Sequence, residues 1–295
     1  MLKIEKQMQG EVKQLLALAE EEDRKDLPDG LDVPIEIARR QERLVALEEA
    51  KRKLEARARE RDVAQQAEYE GKVARRQAKR DAGKKPRGKE PEPPKTSGPQ
   101  DKDQISLTDE ESRIMKTSGG AFDQCYNAQA AVDTDSMLIV GTFVTQACND
   151  KQQITPMLAV LASHKDEVGL PEQLLADTGY FSEANVKACG EGEIEPLIAM
   201  RRDAHHPPLL DRWTEPPRLA EDADAVTKMA HKLKSRSGRA EYGLRKQTVE
   251  PVFGIIKQVM NFRQFLLRGL DKVGQEWHLV ALAWNMKRMM TLKMA

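Results

Sequence analysis

Residues able to build a hydrophobic core are spread unevenly along this chain, and that unevenness restricts its fold more than any other feature. The first hundred residues are rich in Arg, Lys, Glu and Ala, whereas periodic and alternating apolar runs gather after residue 104. The core must therefore lie mainly in the second half. The length of 295 residues is enough for two domains. Charged residues make up 33% and aromatic residues 4%, a poor composition for one large core. The formal net charge is zero, so any attraction for a polyanion has to be local. Cys125, Cys148 and Cys189 are odd in number and show no CxxC spacing. This speaks against a disulfide framework or a zinc site and fits a reducing, cytoplasmic setting. No apolar run approaches the ~18 residues of a membrane-spanning helix. The first residues do not form a signal peptide.

In the first half, residues 2–25 predict a charged helix and the run Asp26-Leu-Pro-Asp-Gly-Leu-Asp32 a turn. A second helix is expected from Pro34, a favourable first-turn residue, to about Asp81. Ile37, Leu44, Leu47 and Leu54 hint at a heptad seam, which then gives way to Ala, Arg and Lys. That describes a weak coiled coil or a helical arm packed on something else. Between Lys72 and Lys89 there are nine basic residues and one acid. Such a run is either a solvated helix end and linker or a DNA-backbone contact, in which Lys84 and Lys85 would be DNA-binding residues. The Pro-, Gly- and Lys-rich stretch after residue 83 reads as a mobile linker. The expected organisation is thus an arm over 1–82, a linker over 83–103 and a folded domain over 104–295.

The second half reads as α/β. Strands are predicted at 104–109, 126–133, 137–145, 173–177 and 194–199, with Asp133–Ser136 as a hairpin turn. Residues 110–120 read as a loop. Asp150 and Gln153 have the spacing of a helix cap, ahead of a helix facing inward through Ile154, Met157, Leu158 and Leu161. Ser182 can cap a helix over 183–190. Residues 201–222, with His205 and His206, read as an insertion loop whose histidines are not ligands. Further helices are expected near 223–236, 238–260 and 272–293, the last facing the core through Val273, Trp277, Val280 and Trp284. Tyr126, Tyr180 and Phe181 read as packing or turn residues.

Within the helix expected at 238–260, one carboxylate, Glu250, sits among Arg245, Lys246 and Lys257. Hard oxygen ligands suit a divalent cation, and cations suit phosphates. Tyr242, Lys246, Glu250 and Lys257 share a helix face, so Lys246 rather than Arg245 is the expected working base. Val249, Phe253, Ile256 and Met260 form an apolar stripe beside it. Pro251 could restart the helix and break that face. Asp109 and Asp177 end predicted strands, where sites in α/β sheets gather. Three acids from separate elements, meeting at the rim of a mixed sheet, are a site for one or two Mg²⁺ ions in phosphodiester transfer. This is the ribonuclease H-like plan.

Several segments resemble the catalytic domain of bacterial insertion-sequence transposases of the DDE type, in particular the IS eleven-eighty-two group. They are Leu107-Thr-Asp-Glu-Glu-Ser-Arg-Ile-Met-Lys116, Tyr126-Asn-Ala-Gln-Ala-Ala-Val-Asp133, Leu175-Ala-Asp-Thr-Gly-Tyr-Phe-Ser182, Arg245–Lys257 and Phe262–Leu270. The resemblance implies a ribonuclease H-like domain over 104–295 behind a charged helical arm. It implies the triad Asp109, Asp177 and Glu250, holding Mg²⁺ or Mn²⁺, with Asp133 the other acid in view for the first place. Tyr242, Arg245 or Lys246, and Lys257 fall on the family's signature around the glutamate, with the Tyr–base–Glu spacing off by one. It implies DNA as partner, a homodimer on DNA and association with the bacterial nucleoid. Such proteins usually begin with a further DNA-binding region, so the alternative is a catalytically silent remnant that only binds DNA.

Overall fold

The computed structural model describes residues 2–22, 33–83, 85–86, 88–94, 97–117, 119–200, 214–220 and 222–293. Lys84, His205 and His206 lie outside them. The chain divides into two units, Met1–Glu110 and Glu111–Ala295.

The first unit holds α1 (Leu2–Glu22) and α2 (Val33–Asp81). Leu15 of α1 and Leu47, Ala50, Leu54 and Ala58 of α2 are buried. The seam thus runs on through alanines, while Ile37 and Leu44 are only half-buried. Arg40 ties the two helices together by an ion pair to Glu11 at 3.1 Å. The chain beyond α2 runs back along it. Arg76 donates to the carbonyls of Gly88 and Lys89, and Arg80 pairs with Glu90. Arg61 donates to the carbonyl of Gly98 at 2.8 Å and pairs with Asp103 at 2.7 Å. Arg57 donates to the carbonyl of Glu110. Chain that forms neither helix nor ladder leaves its carbonyls without partners, and the arginines of α2 supply the donors. Residues 104–109 form no strand. The Ser106 hydroxyl accepts from the amides of Thr108 and Asp109, so side-chain turn bonding overrides the alternation.

In the second unit, β1 (Arg113–Lys116) pairs antiparallel with β2 (Phe122–Cys125), where the polar sequence predicted a loop. β3 (Asn127–Val132) and β4 (Ile139–Thr145) form the expected hairpin. Asp133 closes its turn, accepting from the Ser136 amide at 2.8 Å. Then come α3 (Ile154–Ser163), the short α4 (Lys165–Val168) and β5 (Gln173–Ala176). Next are α5 (Glu183–Glu191), capped as expected by Ser182, and β6 (Glu195–Ile198), parallel to β5. α6 (Ala225–Lys234), α7 (Arg236–Gln258) and α8 (Leu270–Lys293) complete the unit. Among the described residues the strands pair two by two rather than in one mixed sheet. The hairpin and the β5–β6 pair are joined through side chains, the Tyr180 hydroxyl after β5 donating to Gln129 on β3.

Two apolar clusters hold these parts. One packs Ile139 of β4 against Val252 and Ile256 of α7 and Trp277, Ala281 and Trp284 of α8. The other packs Ala176 and Ile198 against Ile154, Val186, Cys189 and Met229 of the surrounding helices. α8 also covers the outer edge of β4. Asn285 holds both backbone groups of Ile139 at 2.8 Å, and the Trp277 and Trp284 indoles donate to the carbonyls of Gln129 and Met137. Covering an edge this way removes a row of open ladder groups.

Candidate active site

Asp177 follows β5 directly. The strand ends there because Asp177 turns the chain: its Oδ1 accepts from the Gly179 amide at 2.8 Å and caps a single turn over Thr178–Tyr180. Glu250 lies on α7, which runs unbroken through Pro251. A proline inside a helix loses one backbone bond, but Val252 and Ile256 on either side of the next turn are fully buried and hold the helix together. The buried face is Thr248, Val252 and Ile256, with Val249, Phe253 and Met260 half-buried beside it, so the apolar stripe is rotated slightly from the expected one.

Asp177 and Glu250 line the same cavity, of about 1040 Å³, within the second unit. Asp133 and Asp150 line it as well. Its lining contains neither thiol nor imidazole; the charged donors are carboxylates, with Arg245 as the cation. Carboxylate donors of this kind suit Mg²⁺ or Mn²⁺. Among the described residues no three Asp, Glu, His or Cys side chains are gathered closely enough to hold a metal ion. Asp109 belongs to the first unit, where its backbone is set by Ser106.

The cation at the cavity is Arg245 and not Lys246, contrary to the expectation from helical spacing. Arg245 pairs with Glu250 at 3.4 Å and lies over the Tyr242 ring at 5.8 Å. Its stem is long enough to reach a residue five positions on, which face counting ignores. Its Nε is buried and makes no hydrogen bond. Lys246 and Lys257 are exposed on the outside of the helix.

Asp150 is no helix cap. Gln153 occupies that place in α3 and its side chain caps nothing. Instead, Asp150 Oδ1 accepts from Asn127 Nδ2 and Gln129 Nε2, each at 2.8 Å. The buried Gln129 amide also accepts the Tyr180 hydroxyl at 2.6 Å. Burial raises the Tyr180 pKa strongly, and the negative charges of Asp150 and Asp177 push the same way, so the phenol stays a donor. Sequence reading missed this set. The available signal was Asn127 and Gln129, two polar residues on one strand face where apolar ones would pack. Asp133, by contrast, is a turn acid. Burial would raise its pKa, but hydrogen bonds from Ser136 and the turn backbone bring it below the ordinary value.

A model of the transposase DDE domain matches residues 94–286, well over half the chain. The chain belongs to the DDE transposase domain family. Membership of that family supports a transposase function and implies DNA as a partner. Neither a curated protein nor a solved structure matches it significantly. No helix among the described residues of this transposase is long and apolar enough to cross a membrane.

Proposed function

We propose that this chain is the transposase of a bacterial insertion sequence related to the IS eleven-eighty-two group, cutting element ends and joining them to target DNA on a ribonuclease H-like domain. The observation that supports this reading best is the shared cavity. Asp177 at the end of β5 and Glu250 on α7, distant in sequence, open into one space lined by neither thiol nor imidazole. Asp177 and Glu250 would hold Mg²⁺ or Mn²⁺, which when bound would neutralise charge developing on the attacking and leaving oxygens of a phosphodiester. Water would open the phosphodiester, and the freed 3′-hydroxyl would then attack a target phosphate and displace its 3′ oxygen. Arg245, which lines the cavity and pairs with Glu250, would orient the phosphate there while keeping Glu250 from swinging away. The exposed Lys246 and Lys257, Tyr242 and, on the first unit, Lys84 and Lys85 would contact DNA. We propose a homodimer on DNA, with a second copy covering the exposed apolar edge of α8 at Leu279, Leu282, Met286 and Met290.

The test is nicking of supercoiled plasmid in MgCl₂ and MnCl₂ by the full chain. Asp177→Asn and Glu250→Gln should each lose at least a hundredfold in rate while binding duplex DNA as the parent does. Nicking that survives Asp177→Asn would remove that residue, and with it this site.

A further inference from the structure

The four-residue turn that carries Asp177 has little of its own to hold it. Its only internal restraints are the Asp177 side-chain bond to the Gly179 amide and two backbone bonds, from Tyr180 to Asp177 and from Phe181 to Thr178. A loop so short could swing its carboxylate by an ångström or more, enough to cost a reaction about a hundredfold. It is clamped from outside. The Tyr180 hydroxyl donates to Gln129 Oε1 on β3, and Asn185 Nδ2 donates to the carbonyls of Tyr180 at 2.6 Å and Lys151 at 2.7 Å. Both clamps lead to the 149–151 turn. Gln129 can offer its carbonyl to Tyr180 only if its Nε2 is turned the other way, and what turns it is Asp150 Oδ1, backed by Asn127 Oδ1 at 2.8 Å. Gln129 and Asn185 are both buried, at 5% and 3% exposure, so neither amide has water as a substitute partner. The packing is tight at the meeting point. A Cβ placed on Gly179 would lie 3.0 Å from Asp177 Oδ1 and 3.6 Å from Asp150 Oδ2, so the two carboxylates flank the same glycine.

We propose that Asp150 is a positioning residue for Asp177, acting through Gln129 and Tyr180 to fix the Asp177–Tyr180 turn against β3. It does this as a hydrogen-bond acceptor, not as a metal ligand. The inference rests on Asp177 being part of the reacting site.

The experiment compares Asp150→Ala, Asp150→Asn and Tyr180→Phe with the parent in the full chain, by nicking kinetics and by hydrogen exchange over residues 173–185. Asp150→Ala should lower kcat by about tenfold to a hundredfold with KM for plasmid within about twofold. It should also speed exchange at Gly179 and Tyr180. Asp150→Asn keeps an oxygen facing both amides and should restore exchange and most of kcat. Tyr180→Phe should lie between. An alanine variant with parental kcat, or unchanged exchange, overturns the proposal. So does an asparagine variant as inactive as the alanine one, because the charge itself would then be needed. Should Asp177→Asn nick normally, the proposed function falls, whereas the exchange data still decide whether Asp150 holds the turn.

Discussion

Gly238 shows how a single atom can be excluded by the backbone of a neighbouring element. It sits in the first turn of α7, its amide bonded to the capping Ser235 hydroxyl at 3.0 Å. A Cβ there would fall 1.9 Å from the carbonyl oxygen of Lys232 and 2.6 Å from its carbon. Both are main-chain atoms of α6, so no rotamer change relieves the clash. Gly238→Ala should destabilise by about 1–3 kcal/mol, the usual range for overpacking, in urea unfolding followed by the fluorescence of the core tryptophans. Gly243, farther along α7, meets nothing within 4 Å. Gly243→Ala should instead stabilise by about 0.5–1 kcal/mol, as alanine does inside a helix. Equal effects at the two sites would remove the steric account. Residue-scale legibility followed the same division. Ser182 and Asp133 were readable because capping and turn bonds are local. The Asp150 set was not, because its partners come from three segments and only the fold brings them together.

Among elements, the long helices and the hairpin could be read from periodicity, since Trp277, Trp284, Met157 and Leu161 repeat at helical spacing and face the core. The strands that were missed or misassigned are those where turn chemistry or polar sequence hides the period: 104–109, held by Ser106, and the β1–β2 ribbon. The strap along α2 was equally hidden, because a Pro-rich sequence does not announce which arginines will receive it. One of its fastenings carries a pH signature. Burial alone would raise the Asp103 pKa, but the Arg61 guanidinium and the Gln100 amide bring it below the ordinary carboxylate value. A depressed acid contributes stability that is complete above its unfolded pKa and is lost as the pH falls through the lower, folded one. Protection factors for exchange over residues 98–110, with the intrinsic pH dependence divided out, should therefore be high at neutral pH and fall on acidification into that range. Asp103→Asn should show the reduced protection already at neutral pH. If the variant matches the parent at neutral pH, the ion pair does not fasten the strap.

For the molecule as a whole, zero net charge means that DNA cannot be drawn in by a general field, so affinity must come from patches whose cations outnumber their acids locally. The first unit has one such patch. Lys72, Arg75, Arg76, Lys79 and Lys89 line a pocket of about 310 Å³ where the strap meets the end of α2, and no acid is among its lining residues. Lys72 is engaged by Glu68 and Arg76 by the strap carbonyls, which leaves Arg75, Lys79 and Lys89 as the residues to test. Each phosphate neutralised on duplex DNA adds about 0.9 to the slope of log affinity against log salt. Replacing those three residues by glutamine should therefore flatten the slope by up to about 2.7, with affinity falling most at low salt. Asp177→Asn should leave the slope as it is, because a carboxylate in the second unit releases no DNA counterions. A triple variant with the parental slope would show that the pocket touches no phosphate. A slope reduced equally by Asp177→Asn would mean that the variants report on folding instead of contact.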